Sequence, residues 1–254
     1  MSDSLAQNPY AAPASNLQEP TLNSQVPSIA EALQRGYDFS IGALISEAWQ
    51  RTKGAKGIII GGVLIYYVAI LVISTILGVV FAFAGLGASD GGATLVIGQL
   101  LVGIIGSALT YPLLAGIMMT GIRRAADQPI TINQMFSHFG LALPLIVTAL
   151  IMMVLIYVGL LLLVIPGIYL SVAYMLAIPL VVERGLSPWQ ALETSRKAIS
   201  QHWFKVFGLC LLLGLIIGVS AIPLGIGLIW SLPLFAISMG ALYRTIFGVL
   251  PAAK

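Results

Sequence analysis

Charge is what this sequence has least of. Lys and Arg number 12 and Asp and Glu 9 in 254 residues, 8% in all, whereas a soluble domain coats its surface with about a quarter charged residues. A soluble globule is excluded on that count. Cysteine is almost absent as well: Cys210 is the single one and lies inside an apolar run. It excludes an internal disulfide and reads as a small packed residue. No nucleophile elbow, metal-ligating cluster or plausible acid–base pair stands out, so the chain is expected to be non-enzymatic and to carry no cofactor. No basic stripe or RNA-binding motif occurs either, which makes nucleic acid a poor partner.

What fills the sequence instead is apolar: 59% of residues are hydrophobic and the mean hydropathy is +1.01. The apolar residues come in runs longer than the roughly 18 that cross a hydrocarbon core. Six spans are predicted, at about 57–84, 93–122, 141–165, 167–182, 205–222 and 225–243. Pro166 and Pro223 mark the two tightest connections, and either could instead kink a re-entrant segment. No Asp, Glu, Lys, Arg or His lies near the midplane of any span, which argues against ion-coupled transport. Gln99 is the most polar candidate for burial, and the span hydroxyls of Ser74, Thr75, Thr110, Thr148, Ser171 and Ser231 read as helix-bonding groups.

With six alternating crossings, every basic residue falls on one side: Arg35, Arg51, Lys53, Lys56, Arg123, Arg124, Arg184, Arg196, Lys197, Lys205, Arg244 and Lys254. The three opposite connections hold none, and of the acids only Asp90 lies there. Loops rich in Lys and Arg stay in the cytoplasm, so both chain ends are expected inside. Arg51, Lys53, Lys56, Arg123, Arg124, Arg196, Lys197 and Lys205 are the expected contacts for anionic headgroups, at about 1 kcal/mol per basic residue near the surface. Residues 1–27 are polar and rich in Pro, Ser, Asn and Ala. They read as a disordered cytoplasmic tail rather than a secretory signal, with the membrane domain over 28–254. Within the tail, Asn8-Pro9-Tyr10 reads either as a turn-forming linker or as a short recognition motif.

The basic connections carry a repeat. Before each hairpin lies a segment that reads as an amphipathic helix. Ser40 is expected to cap one with Ile41, Leu44, Ile45, Ala48 and Trp49 on its stripe; Thr131 and Gln134 have capping-box spacing, with Ile132, Met135, Phe136 and Phe139 as the apolar stripe. Ser187, Pro188 and Gln190 supply cap, first-turn proline and box partner for the third, in which Trp189, Leu192, Ile199 and Trp203 lie broadly on one side. A short helix from Ser28, boxed by Glu31 and ended at Gly36, precedes the first unit. The expected architecture is all-α: six transmembrane helices as three repeats of an interfacial amphipathic helix plus a helical hairpin. Gly57/Gly61 and Gly214/Gly218, near the starts of spans one and five, have the spacing that permits close helix contact.

Ile165-Pro166-Gly167-Ile168, Pro179-Leu180-Val181-Val182-Glu183, and Ser187-Pro188 with Ala191-Leu192 and Ser195 resemble a bacterial group of six-span membrane proteins. That group includes the YciC-like inner-membrane proteins and the membrane domain attached to some glycerophosphodiester phosphodiesterases. Tyr37-Asp38-Phe39-Ser40 through Glu47-Ala48-Trp49 is similar to its entry segment, and the likeness covers about residues 36 to 250. The resemblance implies a six-span architecture in the bacterial inner membrane and carries little function. No stretch of these 254 residues reads as the soluble phosphodiesterase domain, so the resemblance implies no phosphodiester chemistry for them.

One polar cluster is a candidate site. His138 and His202 each precede a span and an aromatic residue, and with Glu183 they could meet at the cytoplasmic face; an interfacial histidine is otherwise an ordinary surface residue. The chain is expected to organise lipids or a membrane-protein partner, or to self-associate. The alternative is a transporter or flippase for an uncharged or lipid-like substrate, with spans broken at Pro112, Pro144, Pro179 and Pro233 lining its path.

Overall fold

The structure, a computed structural model, describes residues 26–84 and 92–251. The tail with its Asn8-Pro9-Tyr10 segment, the turn carrying Asp90, and Lys254 lie outside the described residues. Every described element is helical: α1 (Ile29–Arg35), α2 (Ile41–Arg51), α3 (Lys56–Phe83), α4 (Ala93–Ala125), two short 3-10 turns (Ile132–Phe136 and Phe139–Leu141), α5 (Ala142–Leu162), α6 (Val164–Ala173), α7 (Ala177–Arg184), α8 (Pro188–Ser200), α9 (Trp203–Ala221) and α10 (Leu228–Phe247). Six stretches are long and apolar enough to cross a membrane, the fourth made of α6 and α7 together. The chain is an all-α, six-span membrane protein.

The local signals act where the sequence puts them. Capping boxes close around Ser28/Glu31, Thr131/Gln134 and Ser187/Gln190, satisfying backbone donors that a helix start leaves open. Ser40 starts α2 without the side-chain cap bond expected of it; two residues earlier, Asp38 accepts from the Phe39 N–H at 2.9 Å. Pro144, Pro166 and Pro179 fall in the first turns of α5, α6 and α7, where proline removes no helical bond. Among the described residues, Pro112 of α4 and Pro233 of α10 are the two that lie beyond the first turn of a helix.

The second entry segment differs from the α-helix expected of it. It is a 3-10 turn, and its backbone is pressed onto α4: a Cβ at Gly116 would collide with the main chain of Met135. Met135, 2% exposed, also drives its thioether against Gly62 of α3. Intimate seating on the first hairpin takes the place of a regular helix here.

The three units are joined in a ring. The 3-10 turns of the second unit pack on α4 and α3, the first hairpin. α8, the entry helix of the third unit, packs on α5, α6 and α7, the second hairpin. α2, the entry helix of the first unit, packs on α10 of the third hairpin and closes the cycle. Within each hairpin the two helices divide their tasks. The most apolar stretches of α4, α6–α7 and α10 are 50%, 56% and 67% buried, against 0%, 22% and 17% in α3, α5 and α9. The second helices therefore make the centre and the first helices the lipid-facing rim.

At that centre α4 and α10 meet backbone to backbone. A Cβ at Gly121 would collide with the Ala236 carbonyl, and one at Gly240 with the Gly121 carbonyl, so both positions require the residue without a side chain. The glycine pairs singled out by their spacing are not the contact points. Gly57, Gly214 and Gly218 have open space where a Cβ would sit, and Gly61 only touches the end of Ile132. They lie on rim helices, where little packs against them. Gln99 is likewise exposed on α4 rather than buried.

The turn between the third and fourth spans, expected at Pro166-Gly167, comes three residues earlier, and the fourth span is itself interrupted. The hairpin turns at Leu163, whose backbone is extended, and the interruption inside the span falls between Ala173 and Ala177. Ser195 of α8, fully buried, bridges it: its Oγ donates to the Ala173 carbonyl at 2.7 Å and accepts from the Leu176 N–H at 3.2 Å. α6 lies against the start of α9, with Ile165, Ile168 and Tyr169 beside Trp203, Phe204 and Phe207.

Candidate functional site

The polar end of the bundle is tied together by arginines that donate to main-chain carbonyls. Arg124, ending α4, donates to the carbonyls of Arg51 at 2.8 Å and Lys53 at 2.6 Å. Arg244 donates to the Ala125 carbonyl and pairs with Glu47 of α2. Arg35 reaches the carbonyls of Thr245 and Ile246 at 3.2 and 3.1 Å. Arg184 donates to the carbonyls of Pro27, at 3.2 Å, and Phe247. Carbonyls at helix C-termini lack intrahelical donors and carry partial negative charge, so a cation is their natural partner.

Several of the expected headgroup cations are engaged by side chains of the protein itself, mostly carboxylates. Arg51 pairs with Glu47 and with Asp127, the latter at 2.8 Å. Arg196 binds Glu193 through two nitrogens, at 2.9 and 2.7 Å, with Lys197 3.5 Å from the same carboxylate. Lys205 pairs with Asp38, and this hydrogen bond, foremost, holds the Asp38 carboxyl below its usual range. The Lys56 ammonium lies 5.1 Å from the centre of the Trp230 ring. Lys53 is exposed and Arg123 half-buried.

Of the candidate cluster, two members come together and one does not. His138 and Glu183 line one cavity of about 190 Å³, with Arg123, Gln128 and the main-chain segment Val249–Pro251. Its construction follows from how the helices end. Gly248, with φ of +70°, terminates α10 in a conformation that favours glycine, and the chain then runs across the ends of α4 and α7. Gln128 Nε2 donates to the Leu250 carbonyl at 2.9 Å, while the Leu250 N–H donates to Glu183 Oε1 at 2.8 Å. Glu183 and Arg184 are only 6% and 9% exposed.

Two atoms of these residues are wholly buried and have no hydrogen-bond partner among the described residues. Glu183 Oε2 is buried, with Arg184 Nε 3.8 Å away at ion-pair distance only. His138, 7% exposed, leaves Nε2 bare. Leaving a buried polar group unsatisfied is destabilising by about 1–3 kcal/mol. Sequence reading singled out His138 and Glu183 but gave no sign of Gln128 or Leu250, which meet them only through the path taken by the C-terminal segment.

His202 stands elsewhere. It precedes α9 and packs edge-on against Tyr37, ring centres 5.1 Å apart. Burial there pushes the Tyr37 hydroxyl up to about 12. Among the described residues no group of three or more His, Cys, Asp and Glu is arranged to hold a metal ion.

A second cavity, about 260 Å³, lies between α3, α4, α7 and α10 and is lined almost wholly by apolar groups, among them Val63, Ile117, Pro179 and Phe235, with Tyr66 and Tyr67 at its wall. Five of the six span hydroxyls singled out in the sequence turn back on their own helices, Thr75 to Leu71, Thr110 to Ser107, Thr148 to Pro144, Ser171 to Ile168 and Ser231 to Gly227, while Ser238 of α10 is buried with no hydrogen-bond partner among the described residues. No family model, curated protein or solved structure matches this chain.

Proposed function

We propose that the chain is a non-enzymatic integral protein of a bacterial inner membrane, a scaffold or accessory factor that organises lipids or a partner protein. Both chain ends face the cytoplasm in this reading, as the one-sided distribution of Lys and Arg suggests. The likeness to the six-span bacterial group supports the same compartment. The observation that carries the proposal is the glycine contact between α4 and α10, Gly121 against Gly240. A centre closed backbone to backbone, with hydroxyls such as Thr110, Thr148 and Ser231 bonded within their own helices, leaves little polar surface for a solute path.

A second reading keeps one observation of its own. The apolar cavity at Tyr66, Ile117 and Phe235 has the lining that a lipid-like substrate of a flippase would need. One experiment separates the two. Affinity capture of the full chain from native membranes, with proteomics and lipidomics on the same sample, is expected to return a reproducible partner protein or an organised lipid set. Enrichment of a single lipid, together with flipping of that lipid by the purified protein in vesicles, overturns the scaffold reading in favour of the flippase.

A further inference from the structure

The apolar cavity bounded by α3, α4, α7 and α10 is long rather than round. Its lining runs from Ile59 to Tyr67 on α3, from Leu114 to Ile122 on α4 and from Leu232 to Gly240 on α10. That is eight steps along each wall, roughly 12 Å at about 1.5 Å of rise per residue. A hydrocarbon core about 30 Å thick gives each leaflet roughly 15 Å. The cavity also starts where the charges are. Its lining begins one turn after Lys56 on α3, ends beside Arg123 on α4 and ends four residues before Arg244 on α10. It therefore has the depth of the leaflet at the basic end. Tyr67, at its wall, is 62% exposed, so the cavity opens sideways to the bilayer.

The occupant follows by elimination. Water finds few polar groups to bond there, and apolar cavities stay dry. A helix from a second copy, about 10 Å across with its side chains, is too thick for a space of about 260 Å³. A single flexible hydrocarbon chain has the girth, length and polarity that remain. At the basic end Lys53 precedes α3 and Lys56 opens it, and neither pairs with a carboxylate among the described residues. Ammonium groups without a carboxylate suit a phosphate. We propose that this cavity holds one acyl chain of a phospholipid drawn from the leaflet at the basic end, its phosphate left beside Lys53 and Lys56. The buried chain supplies the affinity, and the lysines fix which end of the lipid stays outside. The proposal rests on the lipid-organising reading and names the part of the lipid that is held.

The test is native mass spectrometry of the full chain released from its own membranes in mild detergent. One bound molecule with the mass of a diacyl phospholipid is expected to persist after looser lipids have been stripped. Val63→Trp and Leu114→Trp put bulk into the cavity from two of its walls, and each is expected to lower the retained fraction about tenfold. Leu64→Trp adds the same bulk beside the cavity, where Leu64 is 61% exposed, and is expected to leave retention unchanged. After delipidation, a long-chain phospholipid is expected to rebind at least about tenfold more tightly than a short-chain one with the same headgroup. An adduct with the mass of a free fatty acid, an isoprenoid or a second copy overturns the proposal, as does the absence of any retained lipid. Retention left intact by both cavity substitutions, or lowered as much by Leu64→Trp, overturns it too, and so does binding indifferent to chain length. If Val63→Trp does not fold, Leu114→Trp and the chain-length comparison decide. Partner capture from native membranes is read separately, so a failure here leaves the scaffold reading standing.

Discussion

α3 and α10 are both long apolar helices, yet they follow opposite rules. The most apolar stretch of α3 has mean hydropathy 2.7 and none of it is buried; that of α10 has 1.2 and 67% is buried. α5 and α9 side with α3, and α4 and α6–α7 with α10. In water the most apolar helix would sink to the core. In a bilayer the acyl chains are as apolar as leucine, so hydrophobicity gives helices no reason to associate. The centre is instead taken by helices whose small residues let backbones approach, and the greasiest helices are left to the lipid. The inverted gradient is the signature of the environment, and it separates packing from hydropathy as causes of burial.

The sharpest way to break that comparison is to place the same bulk on both kinds of helix. Gly121→Leu or Gly240→Leu puts a side chain into the facing main chain of α10 or α4. The expected loss is about 3 kcal/mol, the upper end for overpacking, because a backbone and not a flexible side chain must move. Gly218→Leu on α9 enters open space and is expected to leave stability within about 0.5 kcal/mol. Thermal unfolding in detergent, followed by circular dichroism, reads both. A Gly218→Leu variant as unstable as Gly121→Leu would remove the distinction between centre and rim.

A smaller effect tests how the central helices tolerate a break. Ser195→Ala leaves the Leu176 N–H and the Ala173 carbonyl without their partner in a buried place, at an expected cost of about 1–3 kcal/mol. Ser171→Ala removes a hydroxyl that only bonds back to its own helix at Ile168, and the same unfolding assay is expected to show a change below about 0.5 kcal/mol. Equal effects would mean that the α6–α7 interruption is held by packing alone.

The architecture was legible because its signals are local. Apolar run length marks the spans, and the three capping boxes around Ser28, Thr131 and Ser187 sit at helix starts. The contact glycines were not legible. Gly121 and Gly57 look alike in a sequence with 27 glycines, and only the crossing of α4 over α10 makes one of them indispensable. Ser195 shows the reverse: it stood out within a motif, while its partners at Ala173 and Leu176 depend on α8 lying antiparallel along the broken span. The site was half legible for a similar reason. His138 and Glu183 were conspicuous as polar residues flanking spans, but their meeting depends on the turn at Gly248, and His202, equally conspicuous, was carried instead to Tyr37.

The smallest expected effect lies where a central helix emerges from the bundle. Asp127 follows α4 with φ of +56° and holds Arg51 of α2 through two bonds, at 3.0 and 2.8 Å. The hydrogen bond from Arg51, foremost, holds the Asp127 carboxyl below its ordinary value of 3.8. Because the folded value is the lower one, the contribution is complete above the unfolded value and is lost as pH falls through the folded value. The Asp127 side chain is 67% exposed, so screening limits the pair to about 1 kcal/mol or less. Unfolding measured between pH 7 and pH 3 is therefore expected to show this increment disappearing only at the acid end. Asp127→Asn tolerates the left-handed backbone and is expected to abolish that part of the pH dependence while leaving the glycine contact intact. A loss that begins near neutrality and survives Asp127→Asn would place the pH-sensitive group elsewhere and leave Arg124, through its bonds to the Arg51 and Lys53 carbonyls, as the tie between α2 and α4.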